Sequence, residues 1–253
     1  IAAALDKALR RYKIQIHTGA QVREITEEGG RLKVKAAVSG KETEFPGEVV
    51  LMAVGRKPNV EDIGLDKAGV RFTKKGIEVN SRMETNVPGV YAAGDVTGKW
   101  LLAHFAFAQG ETAAENALGR EVEMDDRVVP RCVYTLPEVA SVGITEKEAR
   151  DAGRDIHVGR FPFAANGKAT ILGERTGFIK VVADKKYGEI LGVNVIGPHA
   201  TELIGEAVLA MRLEGTAEDV GQAIHPHPTL TEAMKEAALD VEKMALHIPP
   251  AKK

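Results

Sequence analysis

Cysteine is nearly absent from this sequence, in which Cys132 is the single example among 253 residues. A lone cysteine excludes a disulfide within the chain. The surrounding stretch VVPRCVYTL is typical of a strand, so we expect a buried and unreactive thiol there. Any thiol chemistry at this protein must therefore use sulfur atoms from elsewhere.

The sequence also has no excess of one charge and no long apolar run. Its 34 Lys and Arg residues nearly balance 36 Asp and Glu residues, which argues against nucleic acid or an anionic membrane as a partner. Runs such as VVLMAV are too short to span a bilayer. The opening IAAALDKALRRY carries charges where a secretory segment would be apolar. We therefore expect a globular, cytoplasmic protein.

The glycine-rich turn GxGxxG does not occur anywhere in the sequence. That turn lets the backbone approach a pyrophosphate at a helix start, and a complete dinucleotide site depends on it. The chain is therefore not expected to build such a site unaided.

Up to about residue 127, the sequence has an α/β pattern. An amphipathic helix is predicted first, followed by the short strand IQIHTG. Residues 21–50 contain stretches of alternating residues separated by the turns EEGG and SGKE. This pattern predicts a three-stranded antiparallel meander. The apolar runs VVLMAVG and VPGVYAAG predict strands buried on both faces, which implies a parallel sheet. A helix over 101–119, ended by Gly119, follows.

From residue 128 the pattern changes to that of an α+β unit. ITEKEARDAG has the capping box and terminal glycine of a short helix. GFIKVVAD and GEILGVNVIG predict a hairpin, and HATELIGEAVLAMRLEG predicts a long amphipathic helix closed by Gly215.

The stretch HPHPTLTE, residues 225–232, alternates two histidines with two prolines. Pro226 fixes its own φ, and Pro228 restricts His227 to extended conformations. Thr229 and Glu232 fit the capping box that opens a helix. The His227 side chain is therefore held just before a helix start.

Three interpretations of this motif remain open. In the first, Glu232 only caps the helix. In the second, His225 and His227 bind a metal, although no cysteine or carboxylate cluster nearby completes the site. In the third, His227 is an acid–base group whose tautomer and basicity are set by Glu232. Such a base needs a thiol or hydroxyl partner.

Two glycine-containing turns follow the predicted buried strands. Asp95, after Gly94, is placed to accept hydrogen bonds from ligand hydroxyls. The helix start near 101–104 offers backbone N–H groups to a phosphate or a developing anion. An Asx turn explains Asp95 as well. Gly55 likewise serves either a turn or the close approach of a nucleotide.

Three stretches then occur in one order: VVLMAVGRKPN, TNVPGVYAAGDVTG followed by LLAH, and HPHPTLTEAMKEAALD. Together they resemble the flavin-dependent pyridine nucleotide-disulphide oxidoreductases, and the likeness covers essentially the whole chain. RCVYTLPEVASVG, FPFAANGKA and LGVNVIGPHATELI are similar to the interface domain of that family. The last stretch is most similar to the branch that oxidises dihydrolipoamide.

The resemblance implies a homodimer that binds FAD and NAD, with FAD between a redox-active cysteine pair and NAD. The fold it implies is an α/β remainder of two nucleotide-binding domains plus an α+β interface domain with an antiparallel sheet. Residues 1–57 would belong to the NAD-binding domain, 58–127 to the FAD-binding domain and 128–253 to the interface domain.

The resemblance also implies roles for individual residues. Asp95 would hold the ribityl and diphosphate region of FAD, and Gly55 would approach NAD. His227 would take a proton from a dihydrolipoyl thiol, with Glu232 as its hydrogen-bond partner, and this pair would reach the disulfide of the other subunit. No metal is implied. The residues expected to lie against the flavin are Leu101, Leu102, Ala103 and His104.

The sequence departs from the family because the first FAD-binding turn, the two redox cysteines and the NAD-binding GxGxxG are not in it. We therefore expect that it does not complete the reaction alone. FAFAQ after LLAH also stands where the family often has charged residues. The implied partner is the lipoyl domain of a 2-oxo acid dehydrogenase complex. A related disulfide reductase of the glutathione or mercuric type, and a non-catalytic dimerisation module, remain alternatives.

Overall fold

The structure is a computed structural model that describes residues 1–249. The chain forms two compact units. One contains His17–Asp126, and the other joins Ile1–Ile16 to the residues from Arg127 onward.

Helix α1 (Ala2–Arg11) confirms the predicted opening helix. The predicted strand IQIHTG after it is wrong, because the helix ends in a turn. Lys13 has a left-handed φ of 62°, and the backbone N–H of Ile14 donates back to the carbonyl of Leu9 at 3.4 Å. No strand of the described residues pairs with 14–19.

The unit His17–Asp126 begins with the predicted antiparallel meander. Strands β1 (Ala20–Glu28), β2 (Arg31–Val38) and β3 (Lys41–Gly47) pair in the order β1–β2–β3. The first turn places Gly29 and Gly30 at φ 60° and 76°. Two consecutive positive φ values match the twist of the flanking strands, and they are easiest for glycine.

The two predicted buried strands of this unit are wrong. Residues 49–55 form no strand, and Leu51 and Val54 are 86% and 85% exposed. A strand needs a neighbour for its backbone hydrogen bonds, and the described residues supply none to this run. In the second run, Tyr91 makes only an isolated bridge with Glu84. The expected parallel sheet is therefore not formed by the described residues.

The remainder of this unit is a short hairpin and a helix. Strands β4 (Phe72–Thr73) and β5 (Gly76–Ile77) are antiparallel. Helix α2 (Ala103–Ala117) confirms the predicted helix, and Gly119 follows it with a φ of 86°. The hairpin contributes to a small apolar core made by Val60, Val70, Ile77 and Ala92.

The other unit is built on one antiparallel sheet of five strands. These are β6 (Arg131–Val133), β7 (Glu138–Gly143), β8 (Ile156–Pro162), β9 (Phe178–Asp184) and β10 (Ile190–Gly197). Their order is β6–β7–β10–β9–β8. The predicted hairpin is β9–β10, and its strands are almost entirely buried. The predicted α+β unit with an antiparallel sheet is thus observed.

Helices cover this sheet, and their bounds are α3 (Glu146–Asp151), α4 (Gly167–Leu172), α5 (Ala200–Arg212), α6 (Ala217–Gln222) and α7 (Glu232–Leu239). The predicted capping box of α3, between Thr145 and Glu148, is present. Helix α5 ends differently from expectation. Glu214, and not Gly215, adopts the left-handed conformation, with a φ of 56°. Among the described residues, no helix is both long and apolar enough to cross a membrane.

Helix α7 packs directly on strand β8, and a glycine makes this contact possible. A β-carbon at Gly159 would overlap the carbonyl oxygen of Ala237 and the backbone nitrogen of Val241. Neither backbone atom can move without shifting the helix end. The absence of a side chain at Gly159 therefore sets how closely α7 approaches the sheet.

Replacing Gly159 with Ala should lower the free energy of unfolding by about 1–3 kcal/mol, because the added methyl group overpacks this contact. Urea unfolding would measure it. Gly205→Ala is the control, because a β-carbon there meets nothing within 4 Å and alanine is the better helix former by about 0.5–1 kcal/mol. Equal stability of Gly159→Ala and the unaltered protein would contradict close packing of α7 on β8.

Candidate active site

The HPHPTLTE segment connects α6 to α7 and is held by side chains from the structure around it. Asn166, whose side chain is buried, donates from Nδ2 to the carbonyl of Thr229 at 3.0 Å. The ammonium group of Lys235 donates to the carbonyl of Ala223 at 3.1 Å. The His227–Pro228 peptide bond is cis. Both ends of the connection are thus fixed to the folded unit.

His227 and Glu232 are brought together as predicted. The Nδ1 atom of His227 lies 2.8 Å from Oε1 of Glu232. The imidazole is 76% exposed, whereas the Glu232 side chain is only 24% exposed. A neutral imidazole that donates from Nδ1 to a carboxylate keeps its lone pair on Nε2. This nitrogen is therefore presented to solvent as a proton acceptor.

Glu232 combines two of the roles that the sequence left open. Its Oε2 atom accepts a hydrogen bond from the backbone N–H of Thr229 at 2.8 Å, while Oε1 contacts His227. This is half of the predicted capping box. The other half is not formed, because the Thr229 hydroxyl donates to the carbonyl of Pro226 at 2.7 Å. The helix consequently starts at Glu232.

The ionised form of Glu232 is favoured by its surroundings. Partial burial raises the pKa of its carboxyl, but the Thr229 N–H, the His227 hydrogen bond and the charges of His227 and His247 outweigh it. The net effect holds the pKa of Glu232 below its ordinary value. A carboxylate is thus available at neutral pH to orient His227 and to stabilise an imidazolium.

His225 is in a different environment from His227. Its side chain is only 7% exposed. Its Nδ1 atom lies 3.0 Å from the carbonyl oxygen of Ala223, and its Nε2 atom lies 2.8 Å from Oε1 of Glu206. Both ring nitrogens are used within the protein, so a metal would have to displace one of these partners.

Cys132 lies on β6 and is half-buried against the core, so the thiol is less buried than expected. The strand is short and lies at the edge of the sheet, which leaves one side open. Desolvation, followed by the negative charges of Glu138 and Glu202, raises the pKa of the thiol. Little thiolate is present at neutral pH, which agrees with an unreactive role.

In the other unit, Asp95 opens a 3₁₀ turn, Asp95–Thr97. The backbone N–H of Thr97 donates to the carbonyl of Gly94 at 3.0 Å, and so it does not make an Asx turn with the carboxylate. The Asp95 carboxylate lies 3.8 Å from the guanidinium group of Arg56. Gly94 has a φ of 83° and lies against Ala106 of α2.

Gln109 is a positioning residue that the sequence reasoning missed. It is 1% exposed, and its Oε1 atom accepts from the backbone N–H of Gly94 at 2.8 Å. Its amide group donates to the hydroxyl of Thr97 at 3.2 Å. The signal was its spacing from Phe105 and Thr112, which places all three on the buried face of α2. Without that spacing, a glutamine in a helix is typical of a solvent-exposed position.

The start of α2 has features that suit a ligand with both polar and apolar parts. The capping position, Leu102, makes no side-chain cap hydrogen bond. Leu101 is half-buried like Leu102, whereas Ala103 and His104 are exposed. These groups and the Asp95 carboxylate offer donors, an acceptor and an apolar surface, which fits the parts of a flavin nucleotide.

Gly55 lies in the exposed run after residue 49. Its φ is 114°, and a β-carbon there would meet nothing within 4 Å. The backbone conformation therefore requires glycine, while the space beside it is open. Gly55 and Asp95 belong to one unit, and His227 and Glu232 belong to the other.

Models of one protein family match both parts of the chain. The model described as pyridine nucleotide-disulphide oxidoreductase matches residues 1–110. The model of the dimerisation domain of the same family matches residues 129–238. The chain belongs to this family. The resemblance inferred from the sequence motifs is thus confirmed.

Curated members of the family named dihydrolipoyl dehydrogenase are similar along nearly the whole chain. The protein of Thermus scotoductus is 48% identical over 98% of the chain and 54% of its own length. The protein of Chlamydia muridarum is 45% identical over 100% of the chain and 54% of its own length. One from Bacillus subtilis is 42% identical over 98% of the chain and 54% of its own length. The chain therefore spans about half the length of the curated relatives it matches.

Solved structures of the family are also similar. LpdA from Mycobacterium tuberculosis has a TM-score of 0.85 at 29% identity, over 94% of the chain and 51% of that protein. The copper(II) complex of the HOCl-induced flavoprotein disulfide reductase RclA from Escherichia coli has a TM-score of 0.87 at 25% identity. This match covers 94% of the chain and 54% of that protein. These likenesses confirm the predicted fold class.

Replacing Glu232 with Gln should reduce the loss of stability on acidification. Because the pKa of Glu232 is lowered in the folded protein, its contribution is present above the pKa of the unfolded chain and is lost as pH falls through the folded value. Urea unfolding at neutral and acidic pH would measure the difference.

The control for this variant is Glu242→Gln, because Glu242 also contacts a histidine, His157, at 2.9 Å but makes no backbone hydrogen bond of this kind. We expect Glu232→Gln to flatten the acid side of the stability profile more than Glu242→Gln does. Identical acid profiles for unaltered protein and Glu232→Gln would contradict the lowered pKa.

Proposed function

We propose that this chain serves a dihydrolipoyl dehydrogenase, which oxidises protein-bound dihydrolipoamide and passes the electrons through a disulfide and FAD to NAD. The observation that carries the proposal is the His227–Glu232 pair, with Nδ1 on the carboxylate at 2.8 Å and the ring 76% exposed. The relatives named dihydrolipoyl dehydrogenase, at 42–48% identity, support the choice of substrate.

The proposed chemistry of His227 is general-base catalysis. A dihydrolipoyl thiol would transfer its proton to Nε2, which converts the imidazole to an imidazolium and the thiol to a thiolate. Glu232 would stabilise the imidazolium through the Nδ1–H hydrogen bond and keep the ring in the tautomer that leaves Nε2 open. The thiolate would then be the nucleophile toward a disulfide. Cys132, as the single cysteine, cannot supply that disulfide within this chain.

The proposed cofactor contacts lie in the unit His17–Asp126. Asp95 would accept hydrogen bonds from hydroxyl groups of FAD, and Gly55 would allow NAD close to the backbone. FAD bound there would supply two-electron transfer to NAD from the dithiol that forms when dihydrolipoamide reduces the disulfide. Residues 1–57 and 58–127 would belong to the NAD-binding and FAD-binding domains. The residues proposed to lie against the flavin are Leu101, Leu102, Ala103 and His104.

The proposed assembly is a homodimer formed by the interface domain, residues 128–253. Support comes from the match to the dimerisation model over residues 129–238 and from exposed apolar side chains in that range. Tyr134 is 81% exposed, Leu136 61% and Leu213 72%. Burial of such side chains against a second copy would stabilise a dimer. A lipoyl domain of a 2-oxo acid dehydrogenase complex is the proposed macromolecular substrate.

The natural protein that carries this chain provides the test. Purified protein should show the visible absorption bands of an oxidised flavin and should reduce NAD when dihydrolipoamide is added. A glutathione- or mercury-dependent reaction in place of this one would support a different disulfide reductase. A folded, colourless dimer without activity would support a dimerisation module and contradict the proposal.

In that protein, His227→Gln should slow dihydrolipoamide oxidation by about 10²- to 10⁴-fold, because glutamine cannot accept the thiol proton. Flavin content should not change, and stopped-flow absorbance of the flavin would measure the rate. His157→Gln is the matched control, since His157 forms a similar Nδ1–carboxylate pair with Glu242 at 2.9 Å in the same unit. Turnover of His227→Gln at the rate of His157→Gln would remove His227 from the mechanism.

A further inference from the structure

The hydrogen bonds of His225 impose a condition on its protonation. The carbonyl oxygen of Ala223 is an acceptor only, so Nδ1, at 3.0 Å from it, must carry a proton to bond. A neutral ring then has a lone pair on Nε2, which lies 2.8 Å from a carboxylate oxygen of Glu206. Two lone pairs at that distance repel each other. One further proton between Nε2 and Oε1 converts this repulsion into a strong hydrogen bond.

We propose that His225 and Glu206 share one proton in the folded protein, and that the resulting hydrogen bond positions His227. The pair then has no net charge, either as imidazolium with carboxylate or as neutral ring with carboxylic acid. Its low exposure, 7% for the His225 side chain and 30% for that of Glu206, shields it from water. His225 is thus a positioning residue, and its effect on catalysis rests on the proposed function of His227.

The link from His225 to His227 is short and stiff. Pro226 alone separates them, and its ring fixes its φ. The carbonyl of Pro226 is held in turn by the hydroxyl of Thr229 at 2.7 Å. A displacement of His225 therefore moves the backbone of His227, and with it the direction of the free Nε2 atom.

Helices α5, α6 and α7 carry further charged groups. From α7, the ammonium group of Lys235 donates to the same Ala223 carbonyl as His225, at 3.1 Å. On α5, Glu202 lies one turn before Glu206 and is exposed. On α6, Glu218 accepts a hydrogen bond from Gln222 at 2.6 Å. Glu206 is the carboxylate that contacts the His225 ring directly.

The two histidines of HPHPTLTE consequently have opposite states. His227 uses one nitrogen within the protein and exposes the other, so it is ready to accept a proton. His225 uses both nitrogens and already holds a proton with Glu206. Each is followed by a proline, but they differ in their hydrogen-bond partners and in exposure, which is 7% for the His225 side chain and 76% for that of His227.

Two variants, Glu206→Gln and Glu206→Ala, distinguish the effect of the shared proton from the effect of having any hydrogen-bond partner for the His225 ring. A glutamine amide donates to the neutral Nε2 lone pair, so the hydrogen bond persists without the extra proton. Alanine removes the partner altogether. Glu202→Gln is the matched control on the same helix, because it removes the same charge one turn away. Circular dichroism would confirm that each variant is folded.

The direct readout is ¹⁵N and ¹H NMR of the His225 ring, with the ¹³C shift of the Glu206 carboxyl, at neutral pH. We expect a proton on Nδ1 and a second proton on either Nε2 or the carboxyl in the unaltered protein and in Glu202→Gln. In Glu206→Gln the ring should carry one proton only. A singly protonated ring beside an ionised Glu206 in the unaltered protein would overturn the proposal.

The kinetic readout tests positioning in the natural protein that carries this chain. Glu206→Ala should lower kcat for dihydrolipoamide oxidation by about 10- to 100-fold, as expected when a catalytic group is misplaced by about 1 Å. Glu206→Gln should retain kcat, because the glutamine amide keeps a hydrogen bond to the His225 ring. Equal kcat in all three proteins would overturn the positioning role. If the unaltered protein does not oxidise dihydrolipoamide, the proposed function fails, while the NMR result still decides the shared proton.

Discussion

The candidate active site depends on the carboxylate of Glu232, which joins the start of α7 to the segment before it. One of its oxygens accepts the backbone N–H of Thr229 and the other contacts Nδ1 of His227. The same group therefore fixes where the helix begins and how the imidazole is oriented. Its ionised form is favoured by these partners, so the arrangement is present at neutral pH.

The position of that carboxylate is set by the antiparallel sheet below it. Helix α7 packs on β8, where Gly159 leaves no side chain between the helix backbone and the strand. The segment between α6 and α7 is fixed from its other side by Asn166, whose amide donates to Thr229. A rigid sheet thus supports an exposed histidine, which is the arrangement that accurate proton transfer requires.

Local patterns predicted much of this structure from the sequence. The capping box of α3, the glycine turns of the β1–β2–β3 meander and the β9–β10 hairpin all depend on residues close together in the chain, and all were predicted. The His227–Glu232 contact was also predictable, because it spans five residues.

The predictions that were wrong or missing share a physical cause. Each of these features depends on partners outside the local sequence. The runs 49–55 and 87–94 are apolar enough for buried strands, but a strand forms only beside a neighbour, and the described residues pair neither run into a sheet. Glu206 lies 19 residues from His225 in sequence, so no local pattern predicted that pair. Gln109 was missed because its role depends on the backbone of Gly94, far along the chain.

The proposed proton transfer requires that His227 present an unprotonated Nε2 atom to its substrate. The decisive measurement is the tautomer of the neutral ring, assigned by ¹⁵N NMR at a pH where His227 is uncharged. We predict that the proton resides on Nδ1, toward Glu232, with Nε2 unprotonated. A proton on Nε2 with a bare Nδ1 would contradict it, because the exposed nitrogen would then have no lone pair to accept a thiol proton.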